Sequence, residues 1–250
     1  MLILQSAPED APRWVKECCQ RTRLWAQHAG YDYRWFDDEL FSLLPSDYHA
    51  KVAERGPIKA DLARLLWIRA LLDAGHQTVV WIDADSLILN LDWRLPEPAP
   101  HSLFGMECWV QRDSGGLLRV YRQPHNAFCL FRANSPVLDF LTYATESIIR
   151  RADPAQIAPQ MVGPKLIKAL HNLVQFDVLE EAGAVSPEVL TDWQQGGGEA
   201  LAVFRTQSAV PQLVNLCHSL QRGEVDINLL LSQRLAGMTT DLRGVDCNVR

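Results

Sequence analysis

The chain has no CxxC pair, no basic stretch ahead of an apolar leader, no long uncharged apolar run and no excess of basic residues. Each absence removes a class of protein. The six cysteines, at positions 18, 19, 108, 129, 217 and 247, lack the paired spacing of a structural zinc site and read as reduced thiols. The start "MLILQSAPED" has no basic residues and only a short apolar run, so no secretory leader is expected. No window approaches the roughly 20 apolar residues of a membrane-spanning helix. The best stretch, "LARLLWIRALLDAG", is interrupted by Arg64, Arg69 and Asp73. These features predict a cytoplasmic protein without a membrane span. With 30 acidic against 24 basic residues the net charge is −6, which argues against a nucleic-acid partner, because such proteins carry a basic stripe. There is no internal repeat and no low-complexity linker, and Gly196-Gly197-Gly198 is the one flexible run, so a single domain over residues 1–250 is expected.

What is present alternates strand and helix signals. "MLILQ", "YDYRWF", "QTVVWI", "SLFGME", "NAFCLFRA", "LVQFDVL" and "LAVF" read as strands. Helices are expected from Pro12 to Ala29, ended by Gly30, and from Pro57 to Gly75, opened by proline in the first turn. A helical stretch broken at Pro45 lies between them. Ser135-Pro136 pairs an N-cap with proline at the next position and opens a helix to about Arg151. Shorter helices are expected after Gly163-Pro164, at "SPEVL" and in "EVDINLLLSQRLAG". The pattern is that of an α/β fold with a mostly parallel central sheet flanked by helices. "RDSGGLLRVYRQPH", with Arg112, Arg119 and Arg122, reads as a basic loop.

The run "TVVWIDADSLILN" poses the chemical question. Two carboxylates, Asp83 and Asp85, interrupt what reads as the most buried strand. Buried carboxylates are costly and near neighbours repel, so something must offset them. Three readings compete. The aspartates are structural caps at a strand end, or they hold Mg²⁺ or Mn²⁺, which favour oxygen ligands, or they form a phosphatase-type nucleophile and acid pair. The position of the motif, well into the chain and with Asp37-Asp38 ahead of it rather than behind, disfavours the phosphatase. Just upstream, Asp61 and Arg64 are three residues apart and share a helix face. Such a pair is either a simple ion pair or a site for phosphate and hydroxyl groups.

The order D-L-A-R, an apolar helix ending in glycine, and an apolar strand running into D-A-D resembles the DXD-containing sugar transferases of the GT-A type. Fungal initiating mannosyltransferases, bacterial capsular-polysaccharide sugar transferases and the glucosylating domains of clostridial toxins share that layout. "HNAFCLFRANSPVLDFL", "MVGPKLIKAL" and "NLCHSLQRG" are similar to further family segments. One glycine instead of two precedes the strand, Trp81 replaces a tyrosine or leucine, and the usual opening motif is reduced to "MLILQS".

The resemblance implies a metal-dependent glycosyltransferase, retaining in outcome, with a UDP- or GDP-sugar donor and Mn²⁺ or Mg²⁺ as cofactor. It implies that Asp85 binds the metal, that Asp83 contacts the ribose or a metal-bound water, and that His218 is a third metal ligand. Asp61 and Arg64 would hold the donor sugar and its phosphate, Asn126 would line the sugar or acceptor pocket, and Gly163 and Pro164 would shape the acceptor side. The acceptor, a glycan, a lipid or a small molecule, is not named by any residue. Glu107, Asp113 and Glu199 are carboxylates in regions suited to a nucleophile or base, and none is singled out. Aromatic residues of "FGMECWVQRDSGG" suit stacking or core packing, Trp193 suits stacking on a base, and the triple glycine suits either a lid hinge or a plain loop. A catalytically silent nucleotide-sugar or glycan-binding module of the same fold is the alternative; turnover separates the two.

Overall fold

The computed structural model describes residues 1–221 and 223–237. Strand β1 (Leu2–Ser6) leads to α1 (Arg13–Ala29), which stops where Gly30 takes φ 73°, a left-handed conformation glycine adopts without strain. β2 (Asp32–Phe36), a 3-10 turn (Asp38–Leu43) and α2 (Ser46–Lys51) follow, the last two on either side of Pro45. α3 (Gly56–Asp73), with Pro57 in its first turn, ends before β3 (Thr78–Ile82) and β4 (Ser86–Ile88), which bracket the two aspartates. β5 (Ser102–Arg112) and β6 (Leu118–Arg132) form a long hairpin. α4 (Pro136–Arg151) begins as expected at Ser135, whose hydroxyl accepts from the Leu138 amide. Then come α5 (Pro164–Val174), β7 (Asp177–Leu179), β8 (Ala182–Ala184), α6 (Pro187–Gln194), α7 (Glu199–Gln207), β9 (Leu213–Asn215) and α8 (Ile227–Gly237).

Six strands form one sheet in the order β2-β1-β3-β6-β5-β7. Five run the same way and β6 runs against them, so the expected mostly parallel α/β sheet is found. Side chains alternate across it. Ile3, Val80 and Ile82 face one way with Trp25 and Ala26 of α1. Leu2, Leu4, Val79 and Trp81 face the other way, with α3, α4 and α5. β3 is therefore apolar throughout because both its faces are covered.

A second sheet, β4-β9-β8, was not foreseen. Each of its strands is three residues long, too short to show a period. It packs with α1, α6, α7 and α8 around Leu87, Val189, Leu201, Phe204 and Val214.

Two sequence expectations are corrected. "LAVF" lies within α7, where Ala200, Leu201 and Phe204 are buried at helical spacing and the Asp192 carboxylate accepts from the Ala200 and Leu201 amides. The basic segment is hairpin, not loop. The chain turns between Asp113 and Leu117, and Arg112, Arg119 and Arg122 pair with Glu199, Asp113 and Glu180.

β6 breaks its pairing with β5 between Cys129, opposite Phe104, and His125, opposite Gly105. Across this bulge Phe128 pairs with Ile82 and the Asp83 amide donates to Ala127 O at 2.7 Å. His125 fills the space above Gly105, where an added Cβ would stand 2.4 Å from its ring nitrogen and 2.5 Å from Ala182 O. Its Nε2 lies 3.1 Å from Ala182 O, and its Nδ1 accepts from the Ala127 amide at 3.2 Å. The neutral ring thus ties the two sheets together, and burial lowers its pKa to about 4. A buried histidine of lowered pKa favours the native state while neutral. Its contribution is complete above the unfolded pKa near 6.5 and falls as pH drops toward 4. Urea unfolding between pH 7 and pH 4 is expected to lose about 3 kcal/mol from this residue, and His125→Gln should flatten that part of the pH curve. An unchanged slope would remove the assignment.

Candidate active site

The chain leaves the main sheet at Ile82 and enters the second at Ser86. Between them Asp83, Ala84 and Asp85 form a tight turn, closed by the Ser86 amide donating to Asp83 O at 3.0 Å. This turn places the two carboxylates on different sides. Asp83 faces the helix layer. Its Oδ1 accepts from Arg64 Nη1 at 3.1 Å and from Trp81 Nε1 at 2.6 Å. Asp85 faces the second sheet. Its Oδ1 accepts from Asn215 Nδ2 at 2.6 Å and its Oδ2 from the His218 amide at 2.8 Å.

Beneath Asp83 lies a buried charged cluster. Arg64 Nη1 also donates to Asn126 O at 2.8 Å, its Nε to Ala60 O at 3.2 Å, and its Nη2 stands 3.3 Å from Asp61 Oδ1. The guanidinium carbon sits 5.1 Å from the centre of the Trp81 ring. Asn126, in the β6 bulge, donates from Nδ2 to Asp61 Oδ1 at 2.8 Å. Gly163 fits against Asp61: a Cβ there would lie 2.6 Å from Oδ2. Burial raises the Asp61 carboxyl to about 6 in spite of Arg64 and Asn126. Burial would depress Arg64, but Asp83 and Asp61 more than offset it and its pKa is raised. Asp85 is raised by burial and then by Asp83, against the pull of the His218 amide and Asn215.

The structure therefore brings Asp61, Arg64, Asp83 and Asn126 into one network and sets Asp85 beside it. His218 reaches Asp85 through its backbone; its exposed ring stands edge-on to Trp14, with centroids 5.4 Å apart. Among the described residues, no group of three or more His, Cys, Asp or Glu side chains is gathered into a metal cage. Five of the cysteines are free and Cys247 lies outside the described residues. Trp193 is buried in the core of the second sheet and is not available for stacking on a base. The triple glycine is a tight connection between α6 and α7, with the Gly197 amide on Asp192 O at 2.9 Å and Gly198 against the Asp192 carboxylate. Of the three further carboxylates, Asp113 closes the hairpin turn and Glu199 pairs with Arg112 at 2.7 Å. Glu107 is half-buried, accepts from Gln123, and is raised by burial.

Sequence reasoning missed three parts of this site. Asn215 orients Asp85, and is itself held because its Oδ1 accepts from the Cys217 amide at 2.9 Å and from the Cys217 thiol at 3.1 Å. Gln5, buried at the end of β1, donates to Asp83 O at 3.3 Å and accepts from Tyr33 at 3.1 Å. Past the ends of β1 and β2 lies a groove lined by Lys16, Arg23, Tyr33 and Trp35 together with Glu9 and Asp37. The only advance sign was the alternation within "YDYRWF", which puts Tyr33 and Trp35 on one face. From β1 the connections run both ways, to β2 through α1 on one face and onward to β3 through α3 on the other. The crevice between β1 and β3 is thus the switch point where open α/β sheets take ligands, and Asp83 stands at its rim.

No protein-family model matches the chain, and no curated protein matches it. Among solved structures it is similar to a glycosyltransferase involved in glycosylation of the major capsid of PBCV-1, with 10% identity and a TM-score of 0.46 over 93% of this chain and 98% of that one. It is similar to the galactosyltransferase LgtC in complex with donor and acceptor sugar analogues, with 13% identity and a TM-score of 0.46 over 97% and 98%. It is similar to the glycosyltransferase GlyE of Streptococcus pneumoniae, with 12% identity and a TM-score of 0.36 over 94% and 63%. The activities are those of the proteins named.

Arg64 offsets two carboxylates at once, so its removal should be severe. Arg64→Met is expected to lower unfolding free energy in urea by about 3–5 kcal/mol, the usual effect of stripping one partner from a buried ion pair. A loss below about 1 kcal/mol would mean that Asp61 and Asp83 do not depend on it.

Proposed function

We propose that the protein is a metal-dependent glycosyltransferase that uses a nucleotide-diphosphate sugar, with Asp83 and Asp85 at the metal and diphosphate. One observation carries this reading. Two carboxylates straddle a turn at the switch point of the sheet, next to a groove bearing two aromatic rings, two cations and two carboxylates.

The residues present fit a hard divalent cation. The side-chain donors around the turn are carboxylate oxygens, and oxygen donors suit Mn²⁺ or Mg²⁺. The raised carboxyl of Asp85 marks a buried negative charge that its protein donors do not fully offset. When bound, such an ion supplies charge stabilisation to a departing diphosphate.

The protein groups have separate tasks. The groove past β1 and β2 takes the nucleotide, with Tyr33 and Trp35 for the base, Lys16 and Arg23 for its charge, and Glu9 and Asp37 as hydrogen-bond acceptors for its ribose. Trp35 is 42% exposed and is free to stack. Arg64 has its donors committed to protein acceptors, so it acts by fixing Asp83 and by placing a positive charge under the diphosphate. Asp61 and Asn126, bonded to each other, form the floor on the sugar side. In the transfer, the bond between the anomeric carbon and the diphosphate oxygen breaks and its electron pair leaves with the diphosphate. The acceptor oxygen bonds to the anomeric carbon and gives up its proton to the departing phosphate. That proton route accords with retention of configuration, the outcome implied by the resemblance.

The test is a panel of UDP- and GDP-sugars with Mn²⁺ or Mg²⁺, following free nucleotide. One donor should be turned over in a metal-dependent way, and Asp85→Ala should reduce the rate about 100-fold or more. If the protein shows neither turnover nor metal-dependent nucleotide binding, the aspartates are structural and the fold is silent.

A further inference from the structure

The outer face of the β5–β6 hairpin remains unexplained by the donor site. One face of the hairpin, with Cys108 and Val110, is buried against α6 and α7. The opposite face carries Glu107, Trp109 and Gln111 on β5, with Gln123 directly across from Glu107 and Tyr121 directly across from Trp109. Alternation along both strands puts these five side chains on one surface. It lines an open groove whose other walls are Gln160, Pro164, at the start of α5, and Leu220. Tyr121 is 47% exposed, and Trp109 is half-buried with its indole N–H on Gln111 Oε1 at 2.9 Å.

The chemistry of this surface is specific. Two adjacent aromatic rings offer flat apolar faces. Beside them sit two side-chain amides and a carboxylate, which both donate and accept. A pyranose presents the same combination, with one face of C–H groups and a rim of hydroxyls. The arginines of the hairpin are paired, Arg119 with Asp113 and Arg122 with Glu180, and Lys168 of α5 is near enough for its charge to act on Glu107. An anionic lipid or phosphate headgroup would meet the Glu107 carboxylate at the centre of this face. Two chain segments link the groove to the aspartate site. Leu220 belongs to the 3-10 turn that begins at His218, whose amide holds Asp85. Gly163, next to Pro164, contacts Asp61.

We infer that this hairpin face is a glycan-binding platform, with Trp109 and Tyr121 stacking on a sugar ring and Glu107 accepting a hydrogen bond from one of its hydroxyls. It deepens the transferase reading and rests on it for one point only, that the bound glycan is the acceptor.

The test separates the two ideas. Binding of the full-length protein to an array of immobilised neutral oligosaccharides is measured without donor or metal, and hits are checked with the free sugar by saturation-transfer NMR. The wild type is expected to bind a subset. Trp109→Ala and Tyr121→Ala should each weaken that binding 10-fold or more with an unchanged melting temperature, Trp109→Phe should restore most of it, and Glu107→Gln should weaken it for some sugars and not others. Asp85→Ala should bind glycans like the wild type. Binding to none of the neutral glycans, or binding untouched by both aromatic substitutions, overturns the platform. Anionic-lipid vesicles serve as a second probe, and binding to them in place of sugars counts against it equally. Retained glycan binding in a protein that fails the donor assay leaves the platform standing and removes the transferase reading instead.

Discussion

Two carboxylates one residue apart cannot share a single low-dielectric pocket, and the fold answers by dividing them. The turn over Asp83–Ser86 hands the chain from one sheet to another, so each aspartate meets a different set of donors. Asp83 is met by Arg64 and Trp81 from the helix side of the main sheet, and Asp85 by Asn215 and the His218 amide from the second sheet. Much of the surrounding structure serves this separation. The second sheet exists to carry β4 away from β3. The β6 bulge lets β6 follow β3 one residue further, to the Asp83 amide. His125 then binds the two sheets across Gly105.

The charge under Asp83 has a consequence for stability. A buried arginine between two acids is rarely better for stability than apolar residues of equal volume, because desolvation absorbs most of the attraction. Asp61 shows that imbalance directly, since its carboxyl is raised to about 6 even with Arg64 and Asn126 beside it. Such a cluster is better understood as a positioning device. Arg64 has protein acceptors on all three nitrogens, which fixes its plane and so fixes Asp83 Oδ1. Trp81 reinforces this from the strand, two residues before the acid it supports. The tryptophan that departs from the resembled pattern thus has a local reason: its N–H reaches Asp83.

The legible parts of the sequence were those with long periods or strong punctuation. α1, α3 and α4 are each marked by glycine, proline or serine at an end, and β3 by an apolar run needing cover on both faces. The aspartates and the α3 pair were legible because charge in an apolar context is conspicuous. What stayed hidden was short or distant. Strands of three residues have no period. "LAVF" fits strand and helix alike, and only the Asp192 carboxylate decides for the helix. The hairpin arms were obscured by arginines whose partners, Glu180 and Glu199, lie far along the chain. Asn215 carried no signal at all, because its importance depends on the register of β9 with β4, which puts it opposite Ser86.

Asn215 also shows how the site holds its shape from both ends of one amide. An amide can rotate to present either oxygen or nitrogen to a carboxylate, and oxygen would repel it. Here the oxygen is claimed by the Cys217 amide and thiol, which leaves Nδ2 to face Asp85 and Ser86. The arrangement requires Cys217 to adopt φ 52°, a conformation that costs a residue with a side chain about 1 kcal/mol or more. The same twist starts the turn that presents the His218 amide to the second oxygen of Asp85. One strained residue therefore fixes both donors to Asp85, as Arg64 fixes Asp83 from the other side. The two acids are held apart by independent supports.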